Sequence, residues 1–397
     1  MSVVTRTAIA TGRLLERFQV NRFTSAAVSD GRREQQVEAA FRYFKWKKLL
    51  NLWRVEWQLR NGKTHVTGYP YEWEIDTTNI CQLKCPLCHT GLGTIDRNKG
   101  VMHFDTYKKV VDEMKDYCIW LTLYSWGEPF LNKRIDEFIA YAHEAEIATT
   151  ISTNLNKPLT REMAEKIVQS GLDTMIVSID GVTQEVYEKY RVAGHLDKVL
   201  VNLQLLIDTK RELRSKTPYI EWQFIVMRQN QHQIPEARAM SEKMGVDGIL
   251  FKKVDFPLGE QETDTAQKWM PTGIEEYLRE HPFERPFREE EGERCWRLWR
   301  STVVNWDGGT APCCYLTNAE DDFGNVSNGS FMSVWNGEDY KSARQLFNID
   351  DKPAKRVGCV TCPVYTGSEA AKARGHHTPR VVLEPVYTSS TSASKEV

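Results

Sequence analysis

From Tyr71 to about Lys253 the chain alternates between two hydrophobic patterns. Short apolar-rich runs occur at 71–76, 119–124, 147–151, 173–178, 219–226 and 248–252. Between them, apolar residues return every three or four positions near 105–117, 134–146, 160–170, 195–214 and 231–245. The first pattern predicts buried strands and the second amphipathic helices. Strands joined by crossover helices form a parallel sheet, so the fold class is α/β. Six units are too few for a closed eight-fold barrel. In parallel α/β sheets, ligands bind at the C-terminal ends of the strands.

The flanks differ. Residues 1–34 hold Ser, Thr and Arg but few acids and read as a flexible leader. A transit peptide has similar composition, but nothing else supports one. Residues 35–60 predict one helix, with Val37, Ala40, Phe41, Phe44, Leu49, Leu52, Trp53 and Trp57 near helical spacing. The same stretch carries Arg42, Lys45, Lys47, Lys48, Arg54 and Arg60. It suits a membrane surface, or a helix packed on the sheet with a solvated basic face; the second reading is preferred. The expected organisation is therefore leader and helix over 1–70, the strand–helix array over 71–255, and a charged, proline-bearing linker over 256–294. A short helix is expected near 273–279. A small second domain follows over 295–365, and a disordered tail over 366–397.

At 397 residues the chain has room for one large domain and one small one. A net charge of −2 gives no argument for nucleic acid or membrane. No run approaches the roughly 18 apolar residues of a membrane span. Nine cysteines, clustered and odd in number, without a signal peptide, point to a reducing cytoplasmic setting and to metal ligation rather than disulfides.

Three of those cysteines, Cys81, Cys85 and Cys88, fall within eight residues as Cys-x3-Cys-x2-Cys. That spacing suits a [4Fe-4S] cluster, which ordinarily takes four thiolates. With three, one iron is left open for a small molecule, as a catalytic metal keeps an open position. Pro86 stiffens the turn. A zinc site completed by His89 is the alternative.

Further segments follow at the ends of successive strands. They are Tyr124-Ser-Trp-Gly-Glu-Pro129, Ile151-Ser-Thr-Asn-Leu155, Val177-Ser-Ile-Asp-Gly181, Tyr190-Arg191, and Trp222 to Met227. With the cysteine triplet, from about Tyr71 to Cys362, they resemble the radical S-adenosylmethionine (SAM) superfamily. The resemblance implies a partial (β/α)6 parallel barrel. It also implies that SAM binds the open iron and is reductively cleaved to a 5′-deoxyadenosyl radical, which takes a hydrogen atom from substrate. Gly127 and Glu128 resemble the Gly-Gly-Glu-Pro motif that holds the SAM amine, although Trp126 stands where the first glycine belongs. Ser152 and Asn154 resemble ribose contacts. Ser178 and Asp180 resemble polar groups near the ribose and carboxylate, and Arg191 a partner for the carboxylate. Leu87 and Met227 resemble hydrophobes against adenine.

Cys295, Cys313, Cys314, Cys359 and Cys362, with Gly324-Asn-Val326, resemble the SPASM or shorter twitch extension, which carries auxiliary clusters. Four ligands, Cys295, Cys313, Cys359 and Cys362, imply one auxiliary [4Fe-4S] cluster. Cys314 is left as an alternative ligand to Cys313, an inert thiol, or a hydrogen-atom donor. A zinc site is the other reading of this set. Cys118 reads as a core thiol.

The expected function is a radical SAM enzyme that dehydrogenates or epimerises a sugar-like or polyol small molecule. Its electrons would come from an external donor such as flavodoxin or ferredoxin. Arg191, Tyr124 and Trp126 are expected at the pocket, and none is an obvious base. The rivals are a maturase of ribosomal peptides, a lipid- or glycolipid-modifying enzyme, and a zinc-stabilised binding module.

Overall fold

The computed structural model describes residues 29–256, 263–277 and 294–376. Two helices come first, α1 (Asp30–Arg42) and α2 (Trp46–Arg60). Strands β1 (Glu72–Ile75), β2 (Trp120–Thr122), β3 (Ala148–Thr153), β4 (Thr174–Ser178), β5 (Tyr219–Val226) and β6 (Gly248–Lys253) follow, parallel and in sequential order. The crossover helices include α3 (Phe104–Met114), α4 (Ile135–Glu144), α5 (Arg161–Gln169), α6 (Gln184–Tyr190), α7 (Leu196–Glu212) and α8 (Ile234–Met244). This is the expected α/β architecture with a mostly parallel sheet.

The sheet does not stop at β1. Strand β7 (Ser301–Val304) pairs with β1 in parallel register, and β8 (Gly309–Ala311) and β9 (Gly324–Asn325) continue it antiparallel. The C-terminal region thus shares the barrel's hydrogen-bond ladder.

Side chains alternate along each strand. Trp73, Ile75, Leu121, Ile151, Met175, Val177, Trp222 and Phe224 point under the helices and join their apolar residues in one core. The other face carries Glu72, Glu74, Thr122, Thr150, Ser152, Glu221 and Gln223, aligned across the strands by the register. The lumen is therefore polar, so the strands are apolar on one face only.

α1 closes the N-terminal end of the lumen, although the leader was expected to run through residue 34. Ser29 caps it by accepting from the Arg32 amide at 3.1 Å. Arg32 is buried and pairs with Glu221 at 2.9 Å. Tyr43 and Ala39 pack on Ala148 and Trp120. Tyr43 also bonds His143 at 2.7 Å, and the chain breaks there, so the single helix expected over 35–60 is two.

α2 sits below the same end with its faces reversed from expectation. Its packed side holds Lys48, Asn51, Val55, Gln58 and Leu59. Lys48 bonds the Glu146 carbonyl at 2.5 Å, and Asn51 takes both the carbonyl and amide of Tyr69. Loose backbone groups at the feet of the strands need polar partners, which draws these residues inward.

In the expected linker, residues 257–262 and 278–293 lie outside the described residues. A helix spans Thr263–Trp269, and a short 3-10 helix at Glu275–Tyr277 lies within the range 273–279, whose last two residues are outside the described ones. In the expected tail, a helix spans Glu369–Ala373 with Ala370 and Ala371 buried, and Tyr365 bonds His376 at 3.0 Å. Described structure therefore extends past the expected boundary at 365 to residue 376, and residues 377–397 of the expected tail lie outside the described residues.

Candidate active site

The chain leaves β1 at Asp76 and reaches Cys81 at the C-terminal end of the lumen. Leu83, Cys85, Leu87, Tyr190, Met227, Val254, Phe256 and Trp269 form one apolar cluster, with Cys81 and Cys88 packed against it. The cysteine loop thus lies on a hydrophobic wall that Leu87 and Met227 share. Trp269 belongs to a segment read as linker. Gly91 abuts the loop, and a Cβ there would stand 2.3 Å from the Cys85 carbonyl oxygen.

Three polar side chains reach the thiols, the nearest in sequence being Gln82, whose Oε1 accepts from Cys81 Sγ at 3.9 Å. Asn154 Nδ2 is 3.6 Å from Cys81 Sγ, and its Oδ1 accepts from Gln82 at 2.8 Å. Arg191 Nη1 is 3.9 Å from Cys85 Sγ, while its Nε bonds Asp180 at 2.6 Å. Burial pushes the Cys81 thiol up to about 12 and Cys85 to about 11, so loading iron must displace their protons.

Glu128 is buried where two motifs meet. Its Oε1 accepts from Thr153 Oγ1 at 2.7 Å and from the Phe130 amide at 3.1 Å, and its Oε2 accepts from the Asn154 amide at 2.7 Å. Burial raises its pKa above the usual carboxylate value, partly offset by these bonds. Oε2 keeps room for one more donor. Beside it, Gly127 touches the chain leading to the cysteines, and a Cβ there would meet the Thr78 carbonyl oxygen at 1.6 Å. That glycine is a packing requirement. Trp126 causes no such conflict, because its indole turns toward the C-terminal region and donates to the Cys314 carbonyl at 2.8 Å.

The remaining expected residues line the same rim. Ser152 is half-buried on the lumen face of β3, and Ser178 is buried at the end of β4. Asp180 is fully buried, accepting from the Ile225 amide at 2.6 Å as well as from Arg191. Arg191 is therefore already in an ion pair, which the resemblance alone did not indicate.

Sequence reasoning missed the acids inside the barrel. Glu72, Glu74 and Asp76 alternate along β1 and its extension, so all three face the lumen. Burial pushes Glu72 and Asp76 up to about 8 and also raises Glu74. Asp76 is 2% exposed; the Gly127 and Ser125 amides reach its carboxyl, and its Oδ1 makes no hydrogen bond of good geometry. The alternating Glu-Trp-Glu-Ile-Asp text is the available signal, and its pattern predicts a strand without marking which face is enclosed.

Cys295, Cys313, Cys359 and Cys362 line one cavity, whose other walls include Leu298, Pro312, Leu316, Phe347 and Val364. Four thiols around a mainly apolar space, with Arg297 also in its lining, fit a fully ligated [4Fe-4S] cluster. Cys314 is absent from that lining. It acts electrostatically on the lumen residue Tyr124 and, with Cys313 and Cys295, on Arg297, which itself lines the cavity. Arg97 ties the two halves together, bonding Asp307 at 2.7 Å and Asp322 at 2.6 Å. Cys118 is buried in the core, as expected. Among the described residues, no three His, Cys, Asp or Glu side chains converge as a single metal ion requires. His89 bonds Thr94 at 2.9 Å and meets Trp126 edge-on.

A radical SAM superfamily model matches residues 75–217, and a SPASM model, an iron–sulfur cluster-binding domain, matches residues 295–363. The chain belongs to the radical SAM superfamily. Its C-terminal region is a SPASM domain. Membership brings a [4Fe-4S] cluster and SAM, and the SPASM domain brings auxiliary iron–sulfur ligation. One relative is a tungsten-containing aldehyde ferredoxin oxidoreductase cofactor-modifying protein of Pyrococcus furiosus, 24% identical over 75% of this chain and 88% of that protein. A PqqA peptide cyclase of Bradyrhizobium diazoefficiens is 28% identical over 48% of each chain. Among solved structures, SuiB of Streptococcus suis bound to its precursor peptide SuiA shares the fold. Its TM-score is 0.52 at 16% identity, over 91% of this chain and 82% of that one. Among the described residues, no helix is long and apolar enough to cross a membrane.

Proposed function

We propose that this radical SAM protein oxidises or epimerises a polar small molecule of the sugar or polyol type, held in the barrel lumen. The observation that carries this reading is Asp76, a buried carboxyl at the foot of the cysteine loop whose Oδ1 makes no well-formed hydrogen bond. Beside it lie Glu74 and the lumen hydroxyls Thr122, Thr150 and Ser152. Such a lining suits a substrate rich in hydroxyl or amino groups.

When bound, the cluster and SAM supply a 5′-deoxyadenosyl radical able to take a substrate hydrogen atom. Cys81, Cys85 and Cys88 hold the cluster, with Asn154 and Arg191 orienting Cys81 and Cys85. Glu128 offers its open acceptor site to the SAM amine. Ser152 and Asn154 serve the ribose, and Ser178, Asp180 and Arg191 the ribose and carboxylate end. Leu87 and Met227 give the adenine an apolar wall. Asp76 is the group suited to hold a hydroxyl proton, because its pKa of about 8 lies near neutrality. Cys295, Cys313, Cys359 and Cys362 hold one auxiliary [4Fe-4S] cluster. An external flavodoxin or ferredoxin supplies electrons.

Peptide modification is the second reading, supported by the relatives named as PqqA peptide cyclases. The test uses anaerobically reconstituted, reduced protein with deuterated polyols, aminocyclitols and candidate peptides. Wild type should release 5′-deoxyadenosine, and a Cys81/Cys85/Cys88→Ala variant should not. Deuterium should enter 5′-deoxyadenosine from a polyol or aminocyclitol, and Asp76→Asn should lower product formation while SAM cleavage persists. Deuterium arriving only from a peptide would replace the small-molecule reading.

A further inference from the structure

α2 turns its apolar side to solvent. Trp46, Leu50, Trp53 and Trp57 follow one another at steps of four, three and four, which makes one stripe on a helix. They are 71%, 61%, 66% and 47% exposed. Phe44, also exposed, meets Trp46 edge-on at 5.3 Å and extends the stripe past the helix start. From Trp46 to Trp57 the stripe covers roughly 16 Å of helix axis. Singly exposed apolar residues are ordinary, but a continuous aromatic row is not.

The charges around the row are of one sign. Between Phe41 and Lys63 the chain has seven cations and one acid, although the whole molecule is at −2. Lys47 and Arg54, one position after Trp46 and Trp53, run along one edge of the stripe. Arg60 flanks the other edge, and Lys63 stands over the Trp57 ring at 5.5 Å. The single acid, Glu56, is drawn inward by Arg300 at 2.6 Å. Lys47 pairs with Asp116 at 2.7 Å across an exposed surface, where such pairs are weak.

We propose that this face docks on the surface of an anionic phospholipid bilayer. Indoles settle at headgroup depth, where one edge is apolar and the other wet. The flanking cations complement acidic headgroups, each adding to the attraction. A protein interface core is depleted in charge, whereas here cations run along one edge of the stripe and flank its C-terminal end.

The orientation follows from the partners of α2. Tyr69, Tyr71, Asp116, Glu146 and Arg300 all lie just before strands, at the N-terminal end of the barrel. The cysteine loop lies at the other end, a strand's length of about 20 Å away. A docked molecule therefore holds its mouth toward water. The bilayer is an anchor and not the substrate, which opposes the lipid-modifying reading.

The test is flotation of full-length reconstituted protein with vesicles of phosphatidylcholine alone, or of phosphatidylcholine with phosphatidylglycerol. Wild type should float with the anionic vesicles only, and added salt should weaken it. Trp46→Ser, Leu50→Ser, Trp53→Ser and Trp57→Ser combined should cut the bound fraction at least about ten-fold, with melting temperature and iron content kept. Should that variant not fold, Lys47→Glu with Arg54→Glu should give a comparable loss. Wild type that ignores anionic vesicles, or variants that float undiminished, would overturn the proposal. So would a wild-type dimer that the serine variant splits, since the stripe would then belong to a second copy.

Discussion

The Trp126 indole nitrogen donates to the backbone carbonyl of Cys314 at 2.8 Å, and the Trp126 carbonyl accepts from Thr90 Oγ1 at the same distance. One residue thus fastens the stretch after the cysteine loop to the SPASM domain. Trp126→Phe keeps an aromatic ring against His89 and loses the first bond, at a cost of about 1 kcal/mol. Amide exchange around residues 313–316 should quicken about five-fold while SAM cleavage persists. Unchanged exchange would mean that the bond does not hold the segment.

Cys313 and Cys314 are adjacent but differ in what they face. Cys313→Ala should remove most auxiliary-cluster iron, and Cys314→Ala should leave iron content near wild type. Iron and sulfide analysis with electron paramagnetic resonance reads both. The reverse pattern would exchange their roles.

Gly127 has no space for a methyl group, with the Thr78 carbonyl oxygen 1.6 Å from the position a Cβ would take. Gly127→Ala should cost about 1–3 kcal/mol and displace Glu128. Thermal melting should show the loss, and SAM binding should weaken with it.

Asp180 and Arg191 form a buried ion pair at 2.6 Å, and Arg191 also approaches Cys85. Asp180→Asn leaves the guanidinium buried without its counter-charge, which costs on the order of 3–5 kcal/mol. Denaturant unfolding of the apoprotein measures it. A loss under about 1 kcal/mol would indicate that water compensates the charge.

The lumen acids set a pH dependence. Burial raises the folded-state pKa of Asp76 from 3.8 to about 8. Its contribution to stability is therefore complete below 3.8 and is lost as pH rises toward about 8. Asp76→Asn cannot titrate, so its melting temperature should fall less over that range than that of wild type. Parallel slopes would show that Asp76 is ionised in the folded protein.

Periodicity revealed the six parallel strands because their outward faces are long and apolar. The cysteine triplet and the motif residues were legible because they are local in sequence. Less legible was whatever depended on distant partners. Asp76 is chemically conspicuous only once the lumen encloses it, and Trp269 becomes part of the site only by packing on Tyr190 at 5.6 Å. Lys48 looked solvent-bound until its burial against Glu146 turned α2 over. Strand β7 was missed because Ser301–Val304 is a short run within a region defined by cysteines.

Strand β1 lies between β2 and β7. A gene fragment ending near residue 256 would thus encode an unfinished protein rather than a smaller one. Its first strand would present bare backbone to any neighbour, an invitation to aggregate. On the ribosome the same strand must wait for its second partner until the whole barrel has emerged. Heterologous expression should therefore reward slow synthesis, low temperature and chaperones, and punish every attempt to trim the C-terminal region away.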